Sequence, residues 1–148
     1  MQPTHCTSDM PWASARLGAE RLPGAYAWRS LLATGTVIAG GSDFPVELPN
    51  PFHGIHAAVT RRPLTGPDPG WQPEQRMTRA EAVRAFTAWN AYAARQETEL
   101  GTLEPGKWAD LVACSADVFT CPETDIAAIE PALTLVAGEI VLNRGIAV

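Results

Sequence analysis

Residues 24–35, GAYAWRSLLATG, set Tyr26, Trp28, Leu31 and Leu32 along one helical stripe and close on Gly35, a residue suited to a left-handed stop. A helix of about three turns is predicted there. The run that follows, TVIA, is too short and too β-branched to continue it, so a strand over about residues 36–40 is expected, ending in the turn Gly-Gly-Ser-Asp. NPFHGIHAAVTR, residues 50–61, reads as a short helix with Pro51 at its first position, where a missing N–H costs nothing. RPLTGPDPGWQPEQ, behind it, is rich in Pro and Gly and is expected to be a loop of the length that often accompanies function. MTRAEAVRAFTAWNAYAARQE then opens with a capping box, Thr78 to Glu81, and carries Ala82, Val83, Phe86, Trp89 and Ala93 on one face of a helix.

After Gly101 the period shortens. EPG at 104–106 is a turn signal, DLVACS reads as a strand, and ALTLVAGEIVLNRG reads as two strands joined by a two-residue hairpin at Gly138 and Glu139. The pattern is therefore α/β for about 100 residues and then a small sheet. No internal repeat or low-complexity tract interrupts it.

Composition narrows the function classes. The chain has 148 residues, 46% hydrophobic and 18% charged, which suits one folded domain rather than a disordered segment. Eleven Lys and Arg against sixteen Asp and Glu leave a net charge of −5 with no basic cluster, which argues against nucleic acid as a partner. No apolar run approaches the ~20 residues of a membrane helix, and MQPTHCTSDM has neither the basic nor the apolar zone of a signal peptide, so a soluble, cytoplasmic chain with no membrane partner is expected. Cys6, Cys114 and Cys121 form no Cys-x-x-Cys pair and are expected to be reduced, mostly buried thiols.

The order QPTH, SDMPWA, RLG, GAYAWRSLL, GSDFPVELPNPFHGIHAAVTR, MTRAEAVRAFT and LGTLEPGKWADLV closely resembles the C-terminal part of metal-dependent amidohydrolases. The branch is the one with N-substituted formamide deformylase and the YtcJ-like enzymes. This resemblance implies an α/β fold in which residues 1–100 are the C-terminal part of a (β/α)₈ TIM-type barrel, from the end of strand seven to helix eight. Residues 101–148 are then strands of a small β-sandwich built from both chain ends. In such barrels the ends of the strands line the active-site mouth. The resemblance makes Asp43, just past strand eight, both a metal contact and the catalytic proton shuttle. It would take a proton from metal-activated water as that water attacks the carbonyl of a C–N bond in a small molecule, then pass it to the leaving nitrogen. Read from its own four residues, Asp after Gly-Ser is a common turn former. His5 falls at the family's strand-seven end, where it could reach substrate or serve structurally. His53 and His56, three apart, match no family ligand and are read as solvent-facing or loop-packing, and Lys107 and Asp110 are read as structural.

The resemblance also defines what this chain lacks. The family carries a His-x-His pair after strand one and further histidines after strands five and six; here the histidines are His5, His53 and His56, and a catalytic zinc normally takes about three protein ligands. A barrel needs ~250 residues. The expectation is thus a C-terminal fragment, from a truncated gene, a mis-assigned start or a split product, whose complete form holds a divalent metal such as zinc. Alone it is expected to be inactive and marginally stable. Two other readings stand beside it: a non-catalytic remnant, and a subunit completed by a separate N-terminal half or given to self-association.

Overall fold

The computed structural model describes residues 1–65 and 70–147. Part of the expected loop, residues 66–69, lies outside the described residues. Among the described residues five α-helices precede the sheet: α1 (Pro3–Leu17), α2 (Trp28–Ala33), α3 (Pro51–Thr60), α4 (Arg79–Ala85) and α5 (Ala88–Ala93). Strands β1 (Leu111–Cys114), β2 (Pro131–Val136) and β3 (Glu139–Asn143) form an antiparallel sheet in the order β1-β2-β3, with a 3₁₀ segment, Glu123–Ala128, before β2.

Helix α3 is the centre of the fold. Asn50 caps it, its side chain accepting from the Phe52 N–H at 3.0 Å, and Pro51 starts it as expected. Phe52, Ile55, Ala58 and Val59 are buried in one cluster with Cys6 of α1, Trp28 of α2, Ala82 and Ala85 of α4, and Ile126 and Ile129. This cluster joins the helices to the segment leading into the sheet. Burying a large apolar side chain contributes about 1.5–3 kcal/mol, so α3 organises the fold by contact on several sides.

The segment expected to be a strand, residues 36–40, belongs to no sheet. Its sides differ: Ile38 is 7% exposed and joins the core cluster with the helices, while neighbouring Val37 is 42% exposed. Its one rung of pairing is with the chain's first residue. The Met1 amino group donates to the Ala39 carbonyl, and the Gly41 N–H donates to the Met1 carbonyl at 2.9 Å. Two bonds flanking Gly40 in this way are the pattern of a parallel pair. A ladder needs a partner of comparable length, and here the partner turns into α1 at Pro3.

Helix α2 is shorter than the expected three turns, and Gly35 closes it at φ 82°. The capping box is present: Thr78 accepts from the Glu81 N–H while the Glu81 carboxylate accepts from the Thr78 N–H. Arg29 of α2 forks onto that same carboxylate at 2.7 and 2.6 Å, which pulls the Glu81 carboxyl down to about 2. The helix expected to follow without interruption breaks at Phe86 and Thr87. The reason is local competition for hydrogen bonds. The Ala85 carbonyl, which would accept from Trp89, accepts instead from the Gly40 N–H at 2.8 Å, and Asn90 Nδ2 donates to the Gly40 carbonyl at 3.0 Å. The Phe86 ring fills the space beside Gly40 and Gly54, where an added Cβ would come within 3.0 and 2.4 Å of it.

In the sheet, the hairpin loop is Ala137-Gly138, not Gly138-Glu139. Val136 faces Glu139, and both loop residues have positive φ, 51° and 83°. That pair of angles is what a two-residue turn of the primed type needs. Asp110 holds the loop, its carboxylate accepting from the Ala137 N–H at 2.6 Å. Lys107 donates to the Glu97 carbonyl at 2.7 Å and the Thr102 hydroxyl at 2.6 Å, and pairs with Glu104. Both residues thus hold local turns, the kind of role expected for them.

Candidate functional site

Asp43 opens a turn that closes with the Val46 N–H donating to the Asp43 carbonyl at 2.8 Å. Its φ is 56°, a left-handed conformation that Asp and Asn tolerate better than most side chains. The residue is exposed. It lies just beyond Gly40 and Gly41, which the α4–α5 break and Met1 hold by backbone hydrogen bonds, so a fixed segment presents it. The turn reading of Asp43 is thus correct as far as it goes, and exposure leaves the carboxylate free for chemistry as well. The strand expected to carry Asp43 reduces to the single rung at Gly40.

His5 does not close a strand. It sits in the first turn of α1, its N–H donating to the Gln2 carbonyl at 3.1 Å. Pro3, whose fixed φ suits the start of a helix, turns the chain there. The His5 ring nitrogen Nε2 is buried and has no partner among the described residues. Buried polar atoms are nearly always paired, so this one marks a position with an unmet requirement. The bridge between Met1 and Gly40 brings the two expected site segments, QPTH and GGSD, side by side. A second tie joins them above it, from the Ser8 hydroxyl of α1 to the Glu47 carboxylate at 2.6 Å.

Between these segments lies a cavity of about 270 Å³, walled by Gly41, Ser42, Leu48, Asn50 and Phe86. None of the side chains lining it is ionisable. Phe44, Val46 and Leu48, in the loop after Asp43, are 65%, 66% and 64% exposed, and Leu48 also lines the cavity.

The α3 histidines are not part of this constellation. His56 is buried rather than solvent-facing, at 6% exposure, and His53 is half-buried. Among the described residues no three His, Cys, Asp or Glu side chains come together in a way that could hold a metal ion. Asp43 therefore has no partners here with which to make a metal site. All three cysteines are free thiols, and burial pushes the Cys6 thiol up to about 11.

One cluster was not anticipated. Arg61, at the C-terminal cap of α3, is fully buried, with its guanidinium 4.6 Å from the Trp28 ring and 5.2 Å from the Trp71 ring. It donates to the Trp71 carbonyl at 2.5 Å, the Tyr26 carbonyl at 2.9 Å and the Gln72 side chain. Burial pushes this guanidinium down from its ordinary value. The cluster fastens the ends of the long loop to α2 and α3. The sequence signal was the group of aromatic residues Tyr26, Trp28 and Trp71, but nothing in their spacing points to an arginine between them.

Comparison with known proteins accords with this frame. The pattern of the Amidohydrolase family matches residues 1–142, and the chain belongs to that family. It is 32% identical over 145 residues, 97% of its length, to YtcJ of Bacillus subtilis (strain 168), which carries the name of an amidohydrolase. It is 28% identical over 116 residues, 78% of its length, to N-substituted formamide deformylase of Arthrobacter pascens. The chain spans 27% and 21% of those two relatives. A crystal structure described as a metal-dependent hydrolase from Pyrococcus furiosus superposes with a TM-score of 0.59 and 33% identity, over 72% of this chain and 20% of that one. No helix among the described residues is long and apolar enough to cross a membrane.

Proposed function

We propose that this chain contributes one side of the reaction chamber of a hydrolase that cleaves an amide-like C–N bond in a small molecule, with Asp43 moving the proton. The observation that carries the reading is the parallel rung at Gly40. It sets QPTH beside GGSD with the Val37 side of the segment open and Asp43 at its end. Barrel enzymes build their sites where parallel strand ends present polar residues to one rim, and the single parallel rung here is the start of such an arrangement. In this reading residues 1–100 are barrel and residues 101–148 sandwich, and the open Val37 side is the barrel interior.

Asp43's part is that of a general base and then a general acid. An exposed carboxylate on a fixed turn can accept a proton from water attacking the carbonyl carbon and return it to the departing nitrogen. His5, one turn from the rung, would orient the substrate. The names of the relatives supply the bond type, and metal dependence is part of the description of the Pyrococcus furiosus protein. The residues present do not fit a resident metal, so no step here runs through one; in this reading the divalent ion, zinc or another, is held with residues from outside this chain. The exposed Val37 side and the unpaired sheet edges also favour a partner, a matching N-terminal half, over an isolated monomer.

Metal analysis of the purified, dialysed chain tests the reading. The expected result is no stoichiometric metal. Zinc retained at one per chain and lost in Asp43→Ala would mean that the chain builds a complete site by itself, against the proposal.

A further inference from the structure

The segment leading into the C-terminal sheet packs on α3, and that helix carries a titratable group, His56, that the proposed chemistry does not use and that lies within electrostatic reach of Glu123 in the segment. The 3₁₀ segment Glu123–Ala128 packs along α3, with Ile126 fully buried and Ile129 2% exposed in the same cluster as Ile55 and Val59. On the same helix lies His56, 6% exposed, its Nδ1 buried and without a partner among the described residues. A neutral imidazole tolerates that position. A protonated one does not, because a buried charge without an acceptor is strongly disfavoured.

We propose that the contact between α3 and the segment Glu123–Ala128 is a pH-sensitive latch, closed while His56 is neutral and released when its imidazole takes up a proton. The charged groups around it set the direction. Arg62, beyond the end of α3, and His53, one turn back, both oppose a second positive charge, whereas Glu123 in the segment's first turn favours it. Arg79 of α4 reaches the same region, donating to the Val118 carbonyl at 2.7 Å, and adds positive charge beside the segment. Burial is the largest influence and holds the imidazole below its ordinary value of 6.5, with Glu123 opposing only in part. The sign follows. A base whose pKa is depressed in the closed form gives full closing stability above about 6.5, and that stability is lost as pH falls below this value. Lifting the segment exposes the imidazole to water and restores its ordinary basicity, so acid favours the open form.

Opening would loosen the sheet while leaving its own ladder intact, since β1, β2 and β3 are paired with one another and not with α3. The device therefore acts on how the C-terminal part docks onto α3, the helix that follows the Asp43 turn.

Hydrogen exchange of the chain between pH 7.5 and 5, corrected for the intrinsic rate, reads the latch. The amides of Asp125 and Ile129, bonded to the Pro122 and Ile126 carbonyls, are the reporters. Below about 6.5 their opening should rise by up to about tenfold per pH unit, while the β2–β3 amides change much less. His56→Gln, which cannot protonate, should flatten the profile. Glu123→Gln, which removes an acid that favours the protonated form, makes the closed form harder to protonate and should raise opening at pH 5 above that of the unaltered chain. Equal pH dependence in His56→Gln, or a flat profile in the unaltered chain, overturns the proposal. Should His56→Gln fail to fold, an unchanged profile in Glu123→Gln overturns it instead.

Discussion

Asp43→Asn should lower kcat/KM for amide hydrolysis by about 10²–10⁴, the range that general acid–base catalysis supplies, in a preparation where the chain is completed and active. Asparagine is the informative replacement. It keeps nearly the same shape and tolerates the left-handed backbone at φ 56°, so the turn that closes on Val46 survives. What is lost is the ability to take and return a proton. Because Asp43 is exposed, thermal melting should move by only a degree or two. A large fall in activity with a steady melting temperature is the signature of a chemical role. A preserved rate would leave Asp43 as a turn residue only.

Arg61→Met should produce the largest loss of stability of any single side chain on the helical side. Methionine fills much of the same volume, so the change isolates the polar contacts. Removing the guanidinium leaves the Trp71 and Tyr26 carbonyls without their donor and ends the stacking between Trp28 and Trp71. An unpaired buried acceptor costs about 1–3 kcal/mol and a desolvated cation–π contact contributes about 2, so a total of about 3–5 kcal/mol is expected. Urea unfolding followed by tryptophan fluorescence would measure it directly. A loss under about 1 kcal/mol would mean that the loop ends are fastened by something other than Arg61.

Where local chemistry decides the structure, the sequence was legible. Thr78 and Glu81 form the capping box their spacing implied, and Asn50 and Pro51 start α3 where expected. Where distant residues decide it, the reading failed in identifiable ways. TVIA has the composition of a strand, but a strand exists only with a partner, and Met1 supplies a single rung. The break at Phe86 depends on Gly40 taking the Ala85 carbonyl, a contact between residues 45 positions apart in the chain that no helical period reveals. The hairpin slipped by one residue because Ala137 adopts positive φ, which favours Gly. Helix α1 was not anticipated: the resemblance put a strand end at QPTH, and Pro3 instead occupies the one turn of a helix that accepts it.

The candidate site divides in the same way. Asp43 was visible only because a long run of flanking residues resembles one family, since Gly-Ser-Asp alone describes a turn. His5 was assigned to a strand end by the resemblance and lies in a helix, where its Nε2 is buried without a partner among the described residues. Arg61 entered the sequence reading only as the last residue of the helix expected over 50–61. Its burial is set by Trp28 and Trp71, which approach from either side of α3 in sequence.

The most direct measurement is hydrolysis of simple N-acyl amines by this chain alone and after co-expression with an N-terminal half taken from a family member. The account predicts no turnover by the chain alone, a co-purifying and active complex with the half, and loss of that activity in the complex carrying Asp43→Asn. Turnover by the isolated chain, or full activity of the D43N complex, would contradict it.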